Sequence, residues 1–293
     1  MMTRTPYDQY AKQYLEGLLK PLGEPKISRE VTAEVRQIDI WFVPNEVTTA
    51  DHEVLGLLGR MVATPCLLEP FRNPAGVNDV RACLGKLLQV QTEAMRNAKR
   101  QKKKLTEAEL PHLWILVPSS SRQLLQQFRA EQRDNWATGI YFLPESLRTA
   151  LVAIANLPAT ADTLWLRLLG RGTVQQQAIA ELLLIKHPFR RHALEQLAIL
   201  QVTLQARQNL NREEKELVMN LSPVYEQWKA ETLEAGERRA TEGLLIARFG
   251  QLDEALSQIV PDLVALPPVD RSRLILDLPR AELIEQFEHK LSH

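Results

Sequence analysis

The sequence predicts an α/β fold in which helices flank a small mixed sheet, followed by a small all-helical module. Apolar and polar residues alternate between residues 27 and 43, which predicts β-structure. Short apolar runs at residues 61–68 and 113–117 are separated by a long helical pattern, which predicts strands joined by a helix. After Ala161 the alternation disappears and helical periodicity dominates to the end. The chain is therefore expected to combine a layered α/β core with helices.

The elements can be placed in order along the core. Pro6 precedes a stripe of apolar residues at helical spacing, which predicts a helix over residues 7–20. The alternating set ends at Pro44, which closes the β-structure. Further helices are expected over residues 52–60, 78–100, 122–129 and 145–155, and further strands over residues 61–68, 113–117 and 139–143.

The second half is expected to be helical throughout. We expect a core over residues 1–160, a helical extension over residues 161–225, a charged helical connector over residues 226–240 and a small helical domain over residues 241–293. Helix breaks are predicted at Gly250, Pro261, Pro267 and Pro279.

Composition excludes some classes of protein. Lys and Arg balance Asp and Glu at 36 each, which argues against a strong positive field over the whole surface but leaves room for a local basic cleft. Cys66 and Cys83 show no metal-ligand spacing and are expected to be buried, reduced thiols. No run of about 18 apolar residues occurs, so we expect a soluble, cytoplasmic protein with no membrane partner.

Two acidic residues lie inside apolar, strand-like runs. Asp39 lies within residues 38–42, and Glu69, 30 positions later, lies within residues 66–71. A carboxylate in an apolar strand is costly unless it is paired, hydrogen-bonded or bound to a metal. If the two strands are neighbours, the pair predicts a cation site of the kind found in metal-dependent nucleases.

Phosphodiester hydrolysis explains why two carboxylates would be needed. The reaction requires an activated water and relief of charge on the phosphate, and Mg²⁺ held by carboxylates supplies both. Mg²⁺ takes few protein ligands, so two acids and a backbone carbonyl suffice. A lysine or similar polar residue two positions after the second acid usually completes such a site. That position is Phe71 here, and Pro70 removes a backbone donor.

Three segments together resemble the recombination-promoting nuclease/transposase-like family of the PD-(D/E)XK superfamily. They are residues 7–12, 36–42 and 67–73, followed by a helix that contains Arg81. Residues 244–250 and 278–283 resemble a small domain of unknown function appended to cyanobacterial members. The resemblance implies a PD-(D/E)XK nuclease-like mixed sheet flanked by helices, with a small all-α C-terminal module.

The resemblance also implies roles for individual residues. It implies that Asp39 and Glu69 bind Mg²⁺, that DNA is the substrate, and that Asp8 and Lys12 lie near the site. Because Phe71 cannot stabilise charge, a basic residue from elsewhere would have to replace the usual lysine. The candidates are Arg72, Arg36, Lys12 and Lys86.

Simpler explanations stand beside these roles. Asp39 could pair with Arg36 or Arg72, and Asp8 and Lys12 could form an i,i+4 ion pair. The basic residues that end the predicted long helix could contact DNA or could only be a solvated helix end. These residues are Lys99, Arg100, Lys102, Lys103 and Lys104.

Two functions follow from this sequence. The first is a Mg²⁺-dependent DNA endonuclease that uses Asp39 and Glu69 as metal ligands. The alternative is a catalytically degenerate nuclease-fold protein that acts as a binding or assembly module. In either case the C-terminal helices could mediate homo-oligomerisation.

Overall fold

The computed structural model describes residues 5–31, 36–45 and 53–288. The chain divides into two compact units, residues 1–225 and 226–293. The division falls where the charged connector was expected to begin. The finer divisions expected at residues 160 and 240 stay predictions.

The first unit is built on a mixed sheet, and six of its strands lie in the described ranges. They are β1 (Gly23–Val31), β2 (Arg36–Pro44), β3 (Cys66–Pro70), β4 (His112–Val117), β5 (Ile140–Phe142) and β6 (Thr149–Ala153). Their order in the sheet is β1-β2-β3-β4-β6-β5. The pairs β1–β2, β2–β3 and β5–β6 are antiparallel, whereas β3–β4 and β4–β6 are parallel. The predicted α/β class with a mixed sheet is therefore confirmed.

Helices flank this sheet, and α3 is the crossover that the parallel pair β3–β4 requires. In the described ranges, the helices that lie within the first unit include α1 (Pro6–Leu19), α2 (Gly56–Met61), α3 (Val77–Arg100), α4 (Arg122–Gln127), α5 (Leu164–Arg167), α6 (Gly172–Leu184) and α7 (Pro188–Gln205). The predicted helices over residues 7–20 and 78–100 are confirmed within one residue at each end.

Helices α1 and α3 position the side chains that matter below. α1 begins at Pro6, and the Thr5 hydroxyl accepts a hydrogen bond from the Asp8 amide at 3.2 Å. α3 buries an apolar stripe against the sheet residues of β3, β4 and β6. This stripe consists of Val80, Cys83, Leu87 and Val90. Both cysteines are buried free thiols, as predicted.

One expected helix is a strand. Residues 145–155 were expected to form an α-helix, but they form a 3-10 turn at Glu145–Leu147, the strand β6 and the start of a second 3-10 turn at Ile154–Asn156. In the sheet, β6 lies between β4 and β5. All five β6 side chains are buried. A strand buried on both faces has no polar face to alternate with, so its apolar run cannot be told from a buried helix by periodicity. The strand expected from residue 61 also begins later, at Cys66, because α2 extends to Met61.

The second unit is helical and has its own core. Helix α8 (Arg212–Phe249) includes the division between the units, and its residues 226–240 are mostly exposed. It is followed by α9 (Glu254–Val264), α10 (Pro268–Asp277) and α11 (Arg280–Glu288). The expected break at Pro261 is wrong, because that residue lies inside α9. None of the helices in the described part of the chain is long and apolar enough to cross a membrane. The core of this unit includes Leu245, Leu256, Ile259, Leu263, Ile275 and Leu283.

The assignment of β6 can be tested by truncating one of its side chains. Leu151 is fully buried in the main core, so Leu151→Ala should lower the free energy of unfolding by about 2–5 kcal/mol. The exposed Ser146 supplies a control, and Ser146→Ala should change it by no more than about 0.5 kcal/mol. Urea denaturation measures the free energy of unfolding of both variants. Equal losses in Leu151→Ala and Ser146→Ala would contradict the burial of β6.

Candidate metal centre

The sheet brings the two acidic residues together. In the antiparallel register of β2 and β3, Ile40 lies opposite Leu68, so the next positions, Asp39 and Glu69, are also neighbours. The Asp39 amide donates a hydrogen bond to Glu69 Oε1 at 3.3 Å. The expected proximity of the two acids on adjacent strands is therefore observed.

Glu69 is buried beneath α3 and paired with a lysine of that helix. Its side chain is 1% exposed, and Lys86 Nζ lies 2.7 Å from Glu69 Oε2. Lys86 follows Cys83 by three residues and precedes Leu87, so helical spacing places it at the border of the buried stripe. Because a buried carboxylate needs a compensating partner, this ion pair makes the position of Glu69 tenable.

Asp39 is paired with a different lysine from a different helix. Lys12 Nζ of α1 lies 2.7 Å from Asp39 Oδ1 and 3.2 Å from Asp8 Oδ1. The Asp39 side chain is 22% exposed, so this half of the site opens further to solvent than Glu69 does. The i,i+4 pair of Asp8 and Lys12 exists, and it does not replace the contact with Asp39.

The charges in the site shift one another's pKa values. Burial, followed by the charge of Asp39, raises the pKa of Glu69 to about 7, although Lys86 opposes the shift. Burial alone would lower the pKa of Lys86, but its contacts with Glu69 outweigh that effect and raise it. The pKa of Lys12 is raised in the same way by Asp39 and Asp8. Both lysines are thus cationic beside the carboxylates at neutral pH.

Of the four basic residues that could replace the usual lysine, two contact the acids. Lys86 and Lys12 contact the acids, whereas Arg72 does not: its guanidinium stacks 3.6 Å from the Tyr7 ring centroid and lies 3.5 Å from Glu214. The structure thus places Arg72 with Tyr7 and Glu214 rather than with Asp39. The backbone of Arg36 begins β2, but its side chain lies outside the described residues.

Phe71 is part of the hydrophobic core rather than of the polar site. Its ring packs against the cluster formed by α3 and the sheet, and its amide donates to the Leu116 carbonyl at 2.7 Å. The position that usually carries the lysine is therefore filled by an apolar side chain. Arg81, earlier on α3, is exposed.

The donor atoms suit a hard cation. Two carboxylates from adjacent strands offer anionic oxygens, which Mg²⁺ prefers, and Mg²⁺ retains several waters, so few protein ligands are needed. The described residues contain no group of three or more His, Cys, Asp or Glu side chains that could hold a metal. A closed structural zinc site, which needs four such ligands, is therefore not formed by these residues.

The basic residues at the end of α3 lie apart from the acidic pair. Lys99 and Arg100 occupy the last turn of α3, and Lys102, Lys103 and Lys104 follow it, all exposed. Lys86 and Lys99 are 13 positions apart on one helix, which corresponds to roughly 20 Å. These residues could contact a long ligand that reaches the site but cannot take part in its chemistry.

Comparisons with known proteins leave the family open. No family model, no curated protein and no solved structure matches this chain.

The raised pKa of Glu69 predicts a pH dependence of stability. The unfolded chain ionises Glu69 near pH 4.5 and the folded chain near pH 7, so the folded state loses stability relative to the unfolded state as the pH rises between these values. Compared with Glu69→Gln, the wild-type chain should lose about 1–3 kcal/mol of unfolding free energy between pH 5 and pH 8. Denaturant titrations at each pH measure this difference. A constant difference would show that Lys86 keeps Glu69 ionised throughout.

Proposed function

We propose that this protein is a Mg²⁺-dependent DNA endonuclease in which Asp39 and Glu69 hold the metal and Lys86 replaces the lysine absent from position 71. One observation carries the proposal: the two carboxylates are neighbours on β2 and β3, and the ammonium of Lys86 lies 2.7 Å from Glu69. The sequence resemblance to the recombination-promoting nuclease/transposase-like family supports the same assignment of the two acids.

Each residue would have a distinct part in phosphodiester hydrolysis. Bound Mg²⁺ would supply an activated water and neutralise charge on the phosphate. Asp39 and Glu69 would provide its anionic oxygens. Lys86 approaches the same space from α3, so its ammonium can stabilise the charge that develops on the phosphate oxygens. In the metal-free protein, Lys12 holds Asp39 in place.

We propose DNA as the substrate because the chain, although neutral overall, carries a local basic segment that could contact phosphates. The exposed lysines and arginine that end α3 could neutralise backbone phosphates, which is a contact without sequence preference. A duplex extends far beyond 20 Å, so one DNA molecule could reach both this segment and the acidic pair.

The proposal predicts which substitutions abolish cleavage. Asp39→Asn and Glu69→Gln should each lower Mg²⁺-dependent nicking of plasmid DNA at least about 100-fold, because each removes an anionic metal ligand. Lys86→Met should lower the rate by about 100-fold while leaving DNA binding intact. Arg81→Met, an exposed change on the same helix, is the matched control and should cut at the wild-type rate.

A wild-type chain that cuts no DNA with Mg²⁺ or Mn²⁺ would contradict the enzyme and favour the second candidate. That candidate is a degenerate nuclease fold that acts as an assembly module. It is favoured by the lysines, which satisfy both carboxylates without any metal, and by exposed apolar residues in the second unit such as Val269 and Leu276. Sedimentation would then show an oligomer that Val269→Ser and Leu276→Ser together dissociate.

The basic segment predicts a specific salt dependence of DNA binding. Replacing Lys102, Lys103 and Lys104 by Gln should reduce the slope of log K against log salt concentration by about 2–3, because each lysine releases about 0.9 counterion on contact with duplex DNA. Fluorescence anisotropy with a labelled duplex measures the slope. An unchanged slope would mean that these lysines are only a solvated helix end.

A further inference from the structure

Each carboxylate of the site is already occupied by an ammonium group, but the two lysines differ in one respect. Lys86 is held by Glu69. Lys12 lies between two acids, with Nζ 2.7 Å from Asp39 Oδ1 and 3.2 Å from Asp8 Oδ1. Lys12 can therefore leave Asp39 without losing an anionic partner.

We infer that Lys12 is a displaceable counter-cation: it holds Asp39 in the metal-free protein and shifts fully to Asp8 when Asp39 binds a divalent metal. The inference rests on the proposed function, since it assumes that Asp39 is a metal ligand. It assigns to Asp8 and Lys12 a control over metal affinity that is distinct from the catalytic part proposed for Lys86.

Electrostatics favour such an exchange for Lys12, because Asp8 can take up its ammonium. A carboxylate oxygen binds Mg²⁺ at about 2.0–2.1 Å, so an ammonium that stayed 2.7 Å from Asp39 Oδ1 would lie at most about 5 Å from a metal bound to that same oxygen. Two cations at that separation in a largely buried site repel each other strongly. Lys12 and the metal therefore compete for Asp39, and by linkage the removal of Lys12 must favour the metal.

Asp8 determines how easily the exchange takes place. Its carboxylate contacts Lys12 through both oxygens, Oδ1 at 3.2 Å and Oδ2 at 3.3 Å, and it is 29% exposed. It sits one helical turn before Lys12 on α1, so only the lysine side chain has to move. Without Asp8, the ammonium would have Asp39 as its remaining acid partner and would resist displacement.

Calorimetric titration of the full chain with MnCl₂ tests the inference without any activity measurement. Lys12→Met should tighten Mn²⁺ binding by about fivefold or more. Lys12→Arg, which keeps the cation, should stay within about twofold of the wild type. Lys20→Met removes the same charge from the exposed end of α1 and should also stay within about twofold.

The role of Asp8 is tested by a double-mutant cycle. Asp8→Asn should weaken Mn²⁺ binding in the wild type, and the loss should be smaller in the Lys12→Met chain, because no ammonium then needs a second partner. Equal losses in both backgrounds would overturn the part assigned to Asp8. If Lys12→Met fails to fold by circular dichroism, Lys12→Gln serves instead, since its amide can still donate to Asp39.

The remaining outcomes separate the two proposals. If the wild type binds Mn²⁺ and the neutral Lys12 variants bind equally or more weakly, the exchange is overturned and the metal site stands. If neither the wild type nor these variants bind Mn²⁺, the metal site fails, and the exchange fails with it. A tightening in Lys12→Met that Lys20→Met does not reproduce supports the exchange.

Discussion

The buried charge of Glu69 is the constraint around which the rest of the site is arranged. A strand carboxylate that is 1% exposed cannot keep its charge unless another group compensates it, and the ammonium of Lys86 lies 2.7 Å away. This contact forms only if α3 packs over the part of the sheet that contains β3. The crossover between the parallel strands β3 and β4 places the helix there, and its buried stripe fixes its rotation. The ion pair that compensates Glu69 thus depends on the topology of the sheet and on the packing of α3.

The same constraint explains why the two halves of the site differ. Glu69 lies deep, where α3 covers it, whereas Asp39 lies one strand closer to the β1 edge of the sheet and is partly open. A buried ion pair is costly to break, while a partly exposed one exchanges partners more readily. This difference supports the proposal that Lys86 stabilises charge during hydrolysis, whereas Lys12 controls metal binding at Asp39. Phe71 packs against the hydrophobic core, and the lysine that contacts Glu69 comes from α3 instead.

Sequence patterns predicted the α/β class and the ends of α1 and α3, because alternation and helical stripes are local signals. The proximity of Asp39 and Glu69 was predicted on the condition that their strands are neighbours, and the register of β2 and β3 meets that condition. The patterns failed for β6, since a fully buried strand carries no polar face. These patterns limited the basic residue that could replace the usual lysine to several candidates, but they could not show which one contacts Glu69. The choice of Lys86 over Arg72 depends on the crossover of α3, on the Tyr7 ring and on Glu214, which lies far along the chain from Arg72. Those are tertiary contacts that no local pattern encodes.

We propose that Asp39 and Glu69 bind one divalent metal at the sheet, with Lys86 beside it. The most direct measurement is anomalous diffraction from crystals of the full chain soaked in MnCl₂. We expect an anomalous peak bonded to carboxylate oxygens of both Asp39 and Glu69, with the Lys12 ammonium moved from Asp39 to Asp8. Crystals that show no peak at this position, with Lys12 and Lys86 still bound to Asp39 and Glu69, would contradict it.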